Sequence, residues 1–328
     1  MKARQEKAVK RVKRITKQER IRNVYAAYGI EYDVKTKKIF SPVNGGMWIN
    51  PVLVNGNEKI CRGAYHFSTL PANIHYHINI ALTRKQKIST NKKSKNYGKL
   101  VKYTAIDDEN PVFVDVDGTC VCKCDGCYAL TGNYIYETTK AYLAIRTVLA
   151  RDYMSFLENA IRAQIIAENI QLLRIHAAGD FFSGEYVDMW KRIIADNKNV
   201  LFWTYTKVTE YETAFDEYEN ANIIPSILMF KAAGLKGFNY GKCDYIMRAY
   251  QILTTLGYRV HICFCGIEKA ANLKPVHCTE CHCCAECDYV LFIEHSTDYV
   301  AEKDPLFPAL VKMILEQPIK TPAIENAA

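Results

Sequence analysis

Between residues 111 and 265, short apolar runs alternate with helical patterns about five times, and this alternation restricts the fold more than any other feature of the chain. Pro111–Val116, Gln171–His176, Val200–Thr206, Ile223–Met229 and Tyr258–Phe264 read as strands. Thr139–Glu168 reads as one long or two short helices. Further helices are expected from a Ser183 cap to about Asp196, over Thr209–Tyr218, and from about Cys243 to Leu256 before Gly257. Strand–helix–strand order of this kind lays strands side by side in parallel. The expected class is therefore α/β, with parallel β/α repeats forming a partial or full barrel or an open sheet. Its expected parts are a basic helical arm (1–30), an N-terminal extension (31–110), a β/α core with a cysteine loop (111–265) and a Cys-rich metal-binding segment (266–328).

Thirteen cysteines fall mostly in two clumps. In the first, Cys120, Cys124 and Cys127 stand at C-x3-C-x2-C, with Cys122 to spare. Three thiolates on one short loop suit an iron–sulfur cluster with one open corner, whereas structural zinc more often draws two separated Cys-x2-Cys pairs. In the second, Cys278, Cys281, Cys284 and Cys287 recur at every third residue, and Cys265 lies thirteen residues before Cys278 as a distal ligand. Both a second [4Fe–4S] cluster and a structural zinc fit that run, with His277 and His282 at hand. No apolar signal segment opens the sequence, and no apolar run reaches the roughly 18 residues of a membrane span. A cytoplasmic, reducing location without membrane contact is expected, where clustered thiols bind metal more readily than they pair as disulfides.

Charge is uneven along the chain. Residues 1–20 carry nine Lys or Arg against Glu6 and Glu19, a net +7 of the formal +8. Residues 84–102 hold a further basic stretch with no acidic residue. Such runs attract polyanions, so nucleic acid is a candidate partner through both. A solvated, solubilising surface is the alternative, since no base-reading motif accompanies the charge.

The chemistry-bearing residues fall at the expected carboxyl ends of strands. The cysteine loop follows the first, His176-Ala-Ala-Gly179-Asp180 the second, Lys207 the third and Lys231 the fourth, while Cys263 and Cys265 close the fifth. In parallel α/β folds that edge gathers ligands. Asp180 and His176 are the candidate catalytic groups, and Tyr128, Gly179, Asp180 and Lys207 the candidate cofactor contacts. Asp180 would accept from an ammonium group or cap the following helix.

Cys120, Cys124 and Cys127 after a strand, followed by a β/α series, resemble the radical SAM enzymes. That resemblance implies a [4Fe–4S] cluster on these three thiolates, S-adenosylmethionine on the fourth iron, its reductive cleavage to a carbon radical, and a Gly-rich turn, here Gly179-Asp180, holding the methionine amino group. Gly126 stands where that family usually has an aromatic, with Tyr128 beyond the third cysteine. A second likeness is to the phage and plasmid "gene product 88" family. It rests on Ser89–Gly98, Cys124-Asp-Gly-Cys127-Tyr-Ala129, Arg174-Ile-His-Ala-Ala-Gly-Asp-Phe-Phe-Ser183 with Tyr186 and Trp190, and Phe202–Lys207. The reading is an iron–sulfur enzyme of radical SAM type with an unknown substrate and an electron donor. The rival is a zinc-stabilised nucleic-acid-binding protein of phage or plasmid origin.

Overall fold

A computed structural model describes residues 15–57, 60–92, 94–121, 128–130, 132–225, 242–263, 281, 283–292 and 301–316. Helix α1 (Lys17–Ala27) opens with a capping box, in which the Thr16 side chain accepts from Glu19 N while the Glu19 carboxylate accepts from Thr16 N. It is followed by a small antiparallel sheet of β1 (Tyr32–Asp33), β2 (Lys38–Ser41) and β3 (Met47–Ile49). Ile21 and Tyr25 of α1 are buried in the main core, so the helical part of the basic arm is a packed element.

The central sheet has the order β12-β11-β10-β5-β4. Strands β5 (Ile60–His66), β10 (Leu172–Arg174), β11 (Leu201–Thr206) and β12 (Ala221–Pro225) run parallel, and β4 (Val54–Asn57) is antiparallel on the edge. Two of its five strands therefore come from the expected N-terminal extension. One face carries Leu173, Phe202 and Ile223 into the main core, where they share burial with residues of α1, α2 (Glu137–Asp152), α3 (Met154–Glu168) and α4 (Gly184–Asp196). The chain breaks between α2 and α3 at Tyr153 (φ −135°, ψ 45°), so Thr139–Glu168 is two helices. The opposite face presents Ala64, Leu172, Trp203 and Ile224 to the late cysteines.

Pro111–Val116 appears as β9 (Phe113–Asp117), which is a strand of a different kind from the one expected. It pairs antiparallel with β6 (His75–Asn79), outside the central sheet. Phe-Val-Asp-Val-Asp has the period of two that leaves one face wet. That face carries an exposed ladder in which the ring nitrogens of His75 and His77 lie 2.9 and 2.8 Å from Asp117 and Asp115. Thr209–Tyr218 forms a 3-10 turn (Thr209–Tyr211) and successive turns in place of the expected helix. Tyr211, Ala214 and Tyr218 pack against the core from those turns, satisfying its apolar residues without a helix. Strand β7 (Leu82–Ile88) and strand β8 (Leu100–Ile106) form an antiparallel ribbon.

Helix α5 (Cys243–Thr255) and strand β13 (Val260–Cys263) match the expected helix and last strand. β13 pairs in parallel with β14 (Tyr289–Phe292), in a sheet separate from the central one, and the short helix α6 (Cys283–Glu286) and helix α7 (Phe307–Glu316) complete this C-terminal unit. The described strands form an open central sheet and several small sheets. No helix among the described residues is long and apolar enough to cross a membrane.

Candidate site at the sheet edge and a thiol–imidazole centre

The cysteine loop starts beside the Gly179-Asp180 turn even though β9 is not a neighbour of β10. Past the end of β10 the chain runs alongside residues 67–70: Ala177 N donates to Phe67 O (2.9 Å) and Thr69 N to Ala178 O (3.0 Å). Thr119 joins the far side of that segment, its N–H donating to Leu70 O at 2.9 Å. Its hydroxyl lies 2.7 Å from Thr69 Oγ1 and accepts from Asp180 N at 3.1 Å. Cys120, the next residue, is half-buried at this edge. Arg151, in the last turn of α2, holds the preceding backbone: its guanidinium donates to Asp117 O (3.3 Å) and Gly118 O (3.0 Å), and stacks 4.6 Å from the Phe182 ring.

Gly179 is required where it stands. Its φ of +87° disfavours any side chain, and a Cβ would meet Thr69 Oγ1 at 1.9 Å and Thr119 Oγ1 at 2.5 Å. Asp180 is 5% exposed and spends its carboxylate on the fold. Oδ1 accepts from Phe181 N (2.8 Å) and Thr206 Oγ1 (2.7 Å), and Oδ2 from Lys207 N (2.9 Å). Burial pushes its carboxyl up, against the opposing pull of these bonds. It therefore ties the β10 and β11 ends together, and the cap of α4 is Ser183, whose Oγ accepts from Tyr186 N.

His176 adopts a left-handed backbone (φ 60°) and is 2% exposed. Its Nε2 lies 2.9 Å from Tyr186 OH, and its ring meets Phe181 edge-on at 4.9 Å. Burial lowers its pKa from 6.5 to about 3, so the imidazole is neutral. A ring enclosed this way orders the core beneath the turn. Lys207 meets the site through its backbone N–H. Cys124, Cys127, Lys231, Cys265 and Cys278 lie outside the described residues, as does the side chain of Tyr128.

The second cysteine group gains two members that its every-third spacing did not single out. His261, Cys281 and Cys283 offer one ligand atom each, all within 4.8 Å of one another. His261 comes from buried β13, and Cys283 opens α6, which places Cys283 and Cys287 four residues apart on one helical turn. Cys283 faces both Cys281 and Cys287; its hydrogen bond to Cys281 lowers the Cys281 pKa, and its neighbours Cys281 and Cys287 push its own up. Cys284 is turned the other way, its sulfur accepting from Tyr205 OH at 3.2 Å. Asn222 of β12 donates to Cys284 O (3.1 Å) and Cys287 O (2.8 Å), so the group is anchored to the central sheet. Soft thiolate and imidazole donors match zinc, and also iron in clusters with a histidine ligand. No sequence spacing linked His261 to this group; its position on a buried strand was the available clue.

The basic ribbon exposes Arg84, Lys85, Lys87, Lys92, Lys95, Lys99 and Lys102. Lys87 lies over the Tyr103 ring at 4.7 Å, and Tyr97 is 53% exposed.

These features define a mixed α/β protein with a thiol-bearing sheet edge and a thiol–imidazole centre on the sheet's other face. The family model for Gene product 88 matches residues 59–232, more than half of the sequence, and the chain belongs to that family. A Gene 88 protein of Mycobacterium phage L5 is 34% identical over 101 residues, 28% of this chain and 42% of that protein. The Gene 88 protein of Mycobacterium phage D29 is 55% identical over 38 residues, 12% and 16% respectively. The chain thus spans less than half the length of these relatives. No solved structure matches it. The matched region holds the central-sheet strands from β5 to β12, the cysteine loop and the Gly179-Asp180 turn, and ends before the thiol–imidazole centre.

Proposed function

We propose that this chain is an iron–sulfur enzyme of radical SAM type, with a [4Fe–4S] cluster on Cys120, Cys124 and Cys127. The observation that supports it is the Asp180 N to Thr119 Oγ1 bond, which fixes the residue before Cys120 on the turn that ends β10. A cluster there would accept one electron at a time from a donor. The chain's own part is to hold the loop: Arg151 and Thr119 fix its first residues, and the Thr69–Thr119–Asp180 bonds join it to the sheet edge. The half-buried Cys120 thiol suits a cluster ligand. Gly179 and Asp180 fit S-adenosylmethionine less well, because the turn is filled by Thr69 and Thr119 and the carboxylate is engaged by three protein donors. Release of deoxyadenosine from S-adenosylmethionine by reduced, reconstituted protein would select the radical SAM form over a cluster that only carries electrons. A protein with an intact cluster that neither binds nor cleaves it removes the radical SAM form and keeps the iron–sulfur one.

At the second centre His261 favours zinc over a second all-cysteine cluster, since imidazole joins thiolate in common zinc sites. The rival reading, a zinc-stabilised nucleic-acid binder, is favoured by the β7–β8 ribbon. A two-stranded ribbon fits the major groove, and seven exposed cations on this one supply phosphate contacts. Steeply salt-dependent DNA binding by colourless protein would select it.

A further inference from the structure

The sheet edge also carries buried cationic side chains. Arg146 lies on α2 and is only 8% exposed. Among the described residues it makes no hydrogen bond or ion pair, and the ionisable groups acting on it are the phenols of Tyr142 and Tyr134. A buried guanidinium with no partner among the described residues is costly to keep charged. Its neighbours do not relieve that cost. Thr147, the next residue, accepts from Leu70 N at 2.9 Å, which presses this turn of α2 against the segment that follows β5. The last residue of β5 is His66, whose register partner on β10 is Arg174. Both guanidiniums act on His66 and, with burial as the larger cause, lower its pKa to about 3. Its Nδ1 lies 3.2 Å from Ser68 Oγ. Arg174 is fixed by its Nε bond to His176 O (3.2 Å) and by the Tyr205 ring at 4.9 Å. Asp180, the carboxylate that ties this edge together, is occupied by Phe181, Thr206 and Lys207.

We propose that Arg146, Arg174 and His66 form a binding site for the phosphate group of a small phosphorylated ligand at the carboxyl edge of the central sheet. Two guanidiniums match a phosphate dianion in charge, and the planar fork of Arg146, with no hydrogen bond or ion pair among the described residues, suits an oxyanion. The neutral imidazole and Ser68 contribute polar groups without adding charge. The site goes beyond the iron–sulfur reading and does not rest on it.

Inorganic phosphate is the probe, titrated into the full-length protein at constant ionic strength, with acetate and chloride as parallel arms. Thermal unfolding is expected to shift upward with phosphate and not with acetate or chloride. Arg146→Gln should weaken the apparent phosphate affinity at least tenfold, about the loss of one charge-assisted contact. If Arg146→Gln does not fold, Arg146→Lys and His66→Gln carry the test, each weakening phosphate binding while leaving the phosphate-free unfolding temperature near that of the parent. The site is overturned if phosphate gives no shift, if acetate or chloride gives an equal one, or if the folded variants respond as the parent does. Metal content plays no part in this readout, so loss of the cluster assignment and loss of the phosphate site are separately visible.

Discussion

At the scale of single residues, burial sets the chemistry of the edge. His66 and His176 both have pKa values lowered from 6.5 to about 3, with desolvation the largest cause for each. Between those values the unfolded chain binds more protons than the folded one, so stability falls as pH is lowered through that window. Asp180, whose carboxyl is raised, works in the opposite direction over the carboxylate range. With two histidines against one carboxylate, the urea midpoint is expected to be lower at about pH 5 than at about pH 7.5, and His66→Gln should shrink that difference. An unchanged difference in the variant would contradict the assignment of His66 as a neutral buried ring. Asp180 was legible from sequence as a residue that matters, and its two candidate roles were ammonium acceptor and helix cap. Its distant partners, Thr206 and Lys207, lie at and just past the end of the next strand, and no local pattern announces a contact across 26 residues.

At the scale of elements, α4 was readable to within a residue because Ser183 supplies a cap and Tyr186, Val187, Trp190, Ile193 and Ile194 give one buried stripe. Ser183→Ala is expected to lower stability by about 1 kcal/mol, measured by chemical denaturation, by leaving Tyr186 N without its acceptor. A change near zero would show that water replaces the cap without loss. β5 was missed for the converse reason. Ile-Cys-Arg-Gly-Ala-Tyr-His has neither alternation nor an apolar run, and the strand is specified by its position between β4 and β10. β9 was found but set in the wrong surroundings, since Asp115 and Asp117 mark an exposed face that a doubly covered parallel strand does not have.

At the scale of the whole molecule, the central sheet carries Cys120 by its carboxyl edge and the late cysteines on one face. Its helix-covered face is closed by the main core, and its other face meets Cys283 and Cys287 through Leu172, Trp203 and Ile224. The cysteine loop starts at the carboxyl edge between them. Sequence order foretold that edge correctly for His176, Asp180 and Lys207, and it foretold the crowding of Cys120 with Gly179-Asp180. It did so for an incomplete reason, because the loop arrives through Thr119 and residues 67–70 and not through a neighbouring parallel strand. The thiol–imidazole centre required tertiary information, as His261 lies on β13 and Cys281 twenty residues later in the connection to β14.

The central claim, an iron–sulfur cluster on the edge loop, is tested most directly by metal and acid-labile sulfide analysis of protein prepared without oxygen. The account predicts brown protein with iron and sulfide in equal amounts, both lost in Cys124→Ala and Cys127→Ala, while zinc persists in those variants and disappears in His261→Ala. Colourless parent protein containing zinc alone, with no sulfide after reconstitution, would contradict it.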